Sequence, residues 1–244
     1  MTTNNSNNSN TVKCFSCSRK ELCFPVGIGL KDYAKLDELI VARKSIKRGC
    51  MLYRSGDPLD AIFAVRLGFL KSSHIQPNGI EQITGFHMTG ELLGFEGFAE
   101  MTYLRDVTAL EDTEVCVIPY DRYLSFLQTS PILLENALTL MGREILREQQ
   151  KMASLGSASA SEKVAGFILE LSQKYEARGF SKSEFVLRMS RSEIGNYLGL
   201  QLETISRTFS QFVKSRLILV RQRRIRIIDY MKLHRIAQGC QKDF

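Results

Sequence analysis

Ser190-Arg191-Ser192-Glu193-Ile194-Gly195-Asn196-Tyr197-Leu198-Gly199-Leu200-Gln201-Leu202-Glu203-Thr204-Ile205-Ser206-Arg207 carries the architecture of the C-terminal third of this chain. Ser190 and Glu193 stand at capping-box spacing, a hydroxyl at the N-cap and a carboxylate at N3, each able to satisfy an orphan amide at a helix start. The pattern predicts a helix over residues 191–198, a sharp turn at Gly199, and a second helix from about Leu202 to Phe212. Ile194 and Leu198 on the first helix, with Ile205 and Phe209 on the second, supply a shared core. This is helix-turn-helix geometry, in which the second helix enters the major groove of DNA by its N-terminal end.

Glu203, Ser206 and Arg207 lie three and four residues apart, so they share one outer face of the second helix. An arginine there can grip guanine O6 and N7 with two hydrogen bonds, and a glutamate can accept from cytosine N4. The same spacing also suits an ordinary surface ion pair. Context favours base reading, because the capped unit is followed by a basic segment, Leu217 to Ile228, that reads as a β-hairpin wing. Its Arg221, Arg223, Arg224 and Arg226 would contact phosphates, which adds affinity and salt dependence but little sequence information.

Working back from this unit, Val164, Phe167, Ile168 and Leu171 mark a helix stopped by Gly179-Phe180, and Phe185-Val186-Leu187 reads as a short strand. Gly156-Ser157-Ala158-Ser159-Ala160-Ser161 is a small-residue break with hinge character. Before it, Pro131 opens a long helix with Leu134, Leu138, Met141, Ile145, Met152 and Leu155 at alternating spacings of four and three. A stripe that narrow favours a coiled-coil seam between two copies over a helix packed on its own core. Glu148 fills one slot of the seam, where in a dimer it would face its own copy.

From about Lys44 to Pro119 the chain changes to short strands separated by glycine turns, with Pro77-Asn78-Gly79 a strong hairpin signal before Glu81 to His87. Many such strands predict a small β-barrel or jelly roll. Asp121 is positioned to cap a helix through Leu127, and Tyr33 to Val41 reads as a short helix. Residues 1–12, mostly Asn, Ser and Thr, read as a disordered leader.

Directly after the leader come Cys14, Cys17 and Cys23, spaced C-x2-C-x5-C. Three thiols on one short loop can hold three corners of a tetrahedral zinc site or three irons of a cubane cluster. Either needs a fourth ligand from elsewhere, and the spacing alone does not separate the two.

The totals bound these readings. At 244 residues the chain can form two modest domains, and its 44% hydrophobic and 24% charged content is that of an ordinary globular protein. The net charge of +7 is concentrated near the C-terminus, which points to a polyanionic partner. No apolar run approaches the ~18–20 residues that cross a bilayer, and the start lacks a secretory layout. The expectation is a soluble, cytoplasmic protein without a membrane partner, in which six cysteines favour metal or redox chemistry over disulfides. No Walker loop, dinucleotide fingerprint or Cys-His-Asn constellation is present, so an enzyme is not expected.

Taken together, residues 14 to 230 resemble the CRP/FNR family of transcription regulators, and more narrowly its FNR branch of oxygen-responsive activators of anaerobic metabolism. The resemblance implies an α+β fold: an N-terminal β-barrel or jelly-roll sensor domain of the cyclic-nucleotide-binding kind, a long dimerisation helix and a C-terminal winged helix-turn-helix. The corresponding divisions are 1–12 leader, 13–27 cysteine loop, 28–130 sensor barrel, 131–156 dimerisation helix and 157–244 DNA-binding domain. It further implies a [4Fe-4S] cluster on Cys14, Cys17, Cys23 and Cys116; Cys50 and Cys240 stand apart and read as structural or incidental thiols. The resemblance implies that the cluster promotes homodimerisation and that oxygen disassembles it; the α-helical seam read above then makes Ile145 and Glu148 the expected dimer switch. Ile194 to Leu200 with Glu203, Thr204, Ile205, Ser206 and Arg207 is close to the FNR-type reading head, having Leu202 and Ser206 where the CRP type has Arg and Gly. The implied operator is therefore a TTGAT-N4-ATCAA palindrome, with Ser206 on thymine and RNA polymerase as a further partner.

Other effectors would leave other traces. Zinc could use the same thiols. A cyclic nucleotide would suit Gly90-Glu91, but Arg105 is followed by Asp106, whose carboxylate would repel a phosphodiester. Haem would have to draw on His74, His87 or Met88. One departure from the family pattern is the small-residue stretch Ser154 to Ser159, where the dimer helix often continues with leucines.

Overall fold

The computed structural model describes Cys17, residues 20–23 and residues 38–239. The leader, Cys14, Cys240 and most of the helix expected over Tyr33 to Val41 lie outside the described residues; Glu38 and Leu39 are helical, and Val41 is not.

Eight strands form the barrel: β1 (Ala42–Ile46), β2 (Met51–Tyr53), β3 (Ala61–Leu67), β4 (Phe69–Ile75), β5 (Glu81–Met88), β6 (Leu92–Leu93), β7 (Asp106–Ala109) and β8 (Thr113–Pro119). They make two four-stranded antiparallel sheets, ordered β1-β8-β3-β6 and β2-β7-β4-β5. Between the sheets lie Leu52, Phe63, Val65, Leu70, Val107 and Val115. Strand β3 shows why no clean polar alternation marks this region. Its inward Ala61, Phe63 and Val65 fill the barrel, while its outward Ile62 and Ala64 are also buried, under helices.

Those helices are α2 (Tyr120–Thr129) and the start of α3 (Pro131–Ser157), which place Tyr123, Phe126, Leu133 and Ala137 on the outer face of the first sheet. The expected cap at Asp121 is not formed. The helix begins at Tyr120 with Pro119 at the N-cap, and Asp121 stands in the first turn, where its carboxylate still complements the helix dipole. The four-residue helix α1 (Lys20–Cys23) lies against the barrel.

Helix α3 continues through Ser157, and only Ala158 and Ser159 interrupt the helical backbone before α4 (Ala160–Glu176). The anticipated six-residue break is thus a two-residue joint. It is short because Ser159 and Glu162 form a second capping box that starts α4 at once. Then follow β9 (Glu184–Val186), α5 (Arg191–Leu198), α6 (Leu202–Lys214), β10 (Ile218–Arg221), β11 (Arg224–Ile227) and α7 (Tyr230–Ala237). The last helix was not anticipated from sequence. Asp229 caps it, and Leu233 and Ile236 bury its inner face in the core that includes α4.

The outer face of the second sheet is covered differently. Phe69, Ile83, Phe86 and Met88 join Phe167, Ile194, Tyr197, Ile205 and Phe209 in one hydrophobic cluster, so barrel and C-terminal region share a core. Phe86 is the pivot, with ring centroids 5.1 Å from Tyr197 and 6.0 Å from Phe167.

Candidate DNA interface and cysteine site

The helix-turn-helix is built as its caps foretell. Glu193 N–H donates to Ser190 Oγ at 3.1 Å, and Ser190 N–H donates to Glu193 Oε2 at 2.8 Å. Gly199 adopts φ 65°, ψ 38°, the left-handed conformation that ends a helix without a Cβ penalty. Gly195, a position the sequence reading passed over, is equally constrained: a Cβ there would stand 2.6 Å from the Leu200 carbonyl oxygen. Ile194, Leu198, Ile205 and Phe209 are buried together, as expected, and Tyr197 and Phe212 join them.

On α6, Glu203, Ser206 and Arg207 are all exposed and lie on the face opposite Ile205, Thr208, Phe209 and Phe212. Among the described residues no ion pair joins Glu203 to Arg207, so both heads face solvent. Against Phe209 on the opposite face, Arg191, the first residue of α5, lays its guanidinium 3.1 Å from the ring centre. Its Nη1 is buried without a hydrogen-bond partner, and burial lowers the guanidinium pKa to about 10.

The wing forms as a two-residue hairpin, with Arg221 paired to Arg224 and positive φ at Gln222. Ile218, Ile225 and Ile227 point inward, and Arg221, Arg224 and Arg226 point out. Not every wing arginine is free for phosphate. Arg224 Nη1 is 3.0 Å from Glu184, and Arg223 donates to the Arg188 carbonyl at 3.3 Å. All four are exposed, and among the described residues Arg221 and Arg226 are the two hairpin arginines with no side-chain hydrogen bond or ion pair.

The seam residues on α3 are distributed as a surface stripe. Leu134, Leu138, Ile145 and Met152 are exposed, Ile145 by 59%, while Met141 is half-buried. The Leu155 side chain lies outside the described set. Leu146, also exposed, widens the stripe beyond the strict seam. Glu148 has a partner within its own chain: Arg105 Nη1 lies 3.5 Å from its carboxylate.

The cysteine site is organised by β8. Cys116 is 9% exposed on the outer face of the first sheet, in register with Arg43 of β1 and Ala64 of β3. Arg43 and Arg66 flank it, both paired to Glu114, at 3.7 and 2.9 Å. Burial pushes the Cys116 thiol up; nearby Arg43 opposes this, and Cys17 is close enough to act on it electrostatically. Cys23, at the end of α1, packs against the apolar cluster that contains Cys116. Cys17 and Cys23 are half-buried, Cys116 is buried, and Cys50 is exposed. Among the described residues no three His, Cys, Asp or Glu side chains form a ready metal-binding group. The donor set itself, all soft thiols with Cys14 beyond the described residues, suits iron–sulfur or zinc.

The residues that would serve other effectors are otherwise engaged. Glu91 is enclosed by Arg178 at 2.9 Å, Lys174 at 3.2 Å and His87 at 3.5 Å. Burial works to raise this carboxyl, but Lys174, the His87 hydrogen bond and Arg178 hold it well below the ordinary carboxylate range. Asp106 accepts from the Ser55 amide at 2.8 Å. His87 Nε2 is 2.9 Å from Ser72 Oγ, so it is a buried, satisfied histidine, whereas His74 is exposed. No described helix is long and apolar enough to cross a membrane.

Two family models match. Residues 43–130 match the cyclic nucleotide-binding domain, and residues 162–236 match the Crp-like helix-turn-helix domain. The chain is 46% identical to the transcriptional regulatory protein btr of Bordetella pertussis, across 88% of this chain and 89% of that one. It is 42% identical to the transcriptional activator protein anr of Pseudomonas aeruginosa, across 93% of each. Identity to the fumarate and nitrate reduction regulatory protein of Vibrio cholerae is 37%, across 95% of this chain and 92% of that one. Among solved structures, FixK2 from Bradyrhizobium japonicum superposes with a TM-score of 0.74 at 26% identity, covering 80% of this chain and 96% of that one.

Proposed function

The chain belongs to the FNR branch of the CRP/FNR family of DNA-binding transcription regulators, and on that premise we propose that it is an oxygen-responsive activator of anaerobic metabolism. The observations that support the oxygen-sensing part are Cys23 packed against the apolar cluster that contains Cys116, and Cys17 near enough to act on the Cys116 thiol electrostatically. Cys14, Cys17, Cys23 and Cys116 are the proposed ligands. When bound there, a [4Fe-4S] cluster supplies oxygen-labile iron, the chemistry by which the chain would sense oxygen.

The protein's own residues give that chemistry an output. Strand β8 holds Cys116 rigidly between β1 and β3, while the other three thiols lie on the segment that precedes the barrel. Ile145 offers apolar surface to a second copy along α3, and Glu148 opposes the association. Two carboxylates facing one another across a seam cost on the order of a few kcal/mol if both stay ionised and desolvated. Arg105 offsets part of that cost, which leaves the dimer marginal rather than forbidden. Glu203, Ser206 and Arg207 read a half-site of the TTGAT-N4-ATCAA type, and a dimer reads two. RNA polymerase is the proposed partner of the DNA-bound dimer.

Binding to a labelled palindrome by protein kept anaerobic, and by the same protein after aeration, tests the reading. Tight binding before aeration and loss after it is expected. Equal binding in both states would exclude oxygen control.

A further inference from the structure

Strand β5 is the last strand of its sheet, so among the described residues one of its edges has no strand partner. Unpaired edge amides are costly when buried and invite wrong pairing when exposed, and native folds cover them. Helix α5 covers this edge with one side chain. Asn196 Oδ1 accepts from the Ile83 amide at 2.6 Å, and Asn196 Nδ2 donates to the Glu81 carbonyl at 2.7 Å. The side-chain amide thereby stands in for the peptide unit of an absent strand. Gln82 Nε2 adds a bond to the Asn196 main-chain carbonyl at 2.7 Å.

The surrounding contacts point the same way. Lys71 of β4 reaches Glu193, the carboxylate of the α5 capping box, at 3.5 Å. Lys174 and Arg178 close on Glu91, and Arg178 Nε donates to the Thr89 carbonyl. The cysteine segment meets this interface as well, because Leu22 of α1 packs so closely on Gly90 that a Cβ there would collide with it. Glu203, Ser206 and Arg207 remain exposed, so docking leaves the reading face open.

We propose that Asn196 is a positioning residue for operator reading: by completing the β5 edge it holds α5, and through the Gly199 turn α6, at one orientation relative to the barrel and the α3 seam. In a dimer joined along α3, both reading helices are then presented at a set spacing. The second half-site is engaged without an orientational search, which is preorganisation acting on a bivalent contact. The inference rests on the palindrome-reading dimer proposed above.

The test uses the full-length chain under anaerobic conditions with two labelled duplexes, one carrying the whole TTGAT-N4-ATCAA palindrome and one a single half-site. Wild type is expected to prefer the palindrome. Asn196→Ala is expected to lose about tenfold on the palindrome while half-site binding stays within about twofold. Hydrogen exchange at the Ile83 amide should quicken in the same variant. Gln82→Ala, which leaves the helix-turn-helix untouched, should shift palindrome binding in the same direction by less. An unchanged palindrome-to-half-site ratio in Asn196→Ala, with the Ile83 amide exposed, overturns the proposal. So does a parallel loss on both duplexes, which would mark damage to the reading unit, and so does tighter palindrome binding, which would make the docked state inhibitory. If wild type shows no preference for the palindrome, the dimer reading fails first and the inference falls with it.

Discussion

Replacing Phe86 by alanine should separate two parts of the chain that the structure joins. Phe86 is 5% exposed, and its ring lies 6.5 Å from Phe69, 6.0 Å from Phe167 and 5.1 Å from Tyr197, centre to centre. Truncating a buried phenylalanine costs about 3–5 kcal/mol. Aromatic pairs contribute roughly 0.5–1.5 kcal/mol each within that total. Two of the three ring pairs run from the barrel to helices α4 and α5, so much of the loss falls on the contact between the two regions. For a chain of this size each kcal/mol moves the melting temperature by about 2–4 °C. The expected shift is therefore about 6–20 °C in scanning calorimetry, with the single transition of the parent splitting as the C-terminal region comes off first. Leu70→Ala, a cut inside the barrel core, should lower stability without that splitting. A Phe86→Ala protein that melts in one step within about 2 °C of the parent would refute the shared core.

Other perturbations probe the remaining parts. Glu148→Ala should strengthen self-association by tenfold or more, on the order of the few kcal/mol ascribed to the facing carboxylates, and yield operator binding in air; sedimentation showing a monomer in air would count against the seam. Gly195→Ala should destabilise the reading unit by about 1–3 kcal/mol, because the new methyl meets the Leu200 carbonyl, and an unchanged melt would show that the turn can yield. The Glu91 cluster predicts an acid limit. Since its folded pKa is depressed, its contribution is fully present above the ordinary carboxylate value, near 4.5, and is lost as pH falls below that toward the folded value. Tryptophan-free near-ultraviolet signals from Tyr197 and Tyr175 should thus hold steady from neutrality to about pH 5 and weaken below about pH 4; weakening already between about pH 6 and 7 would contradict Glu91 as the source of the acid limit.

How far the sequence carried this account depends on the range of the interactions. Both ends of α5, the β10–β11 wing and the Pro77-Asn78-Gly79 hairpin are set by residues within a few positions of one another, so they were legible. The exposed stripe of α3 follows from periodicity in the same way. What was not legible depends on partners far apart in the chain. Nothing near Asn196 signals that its amide will cap an edge more than a hundred residues upstream, between Glu81 and Ile83. Gly90-Glu91 on its own suits a cyclic nucleotide, and only the fold shows that Glu91 is held by Lys174 and Arg178. Glu148 was expected to face its twin, and the chain also supplies it with Arg105. The wing arginines read as a uniform phosphate surface, yet Glu184, placed beside Arg224 by the β9–β11 pairing, offsets one of them. Cys116 could be joined to the N-terminal thiols only through family resemblance, because no local pattern announces a ligand in the middle of a buried strand.

The central claim, that four thiols including Cys116 hold an oxygen-labile cluster, is tested most directly by iron and acid-labile sulfide analysis of protein purified without air. The account predicts about four of each per chain in the wild type and a near-complete loss of both in Cys116→Ala. Zinc in place of iron, or a Cys116→Ala protein that keeps its iron and sulfide, would contradict it.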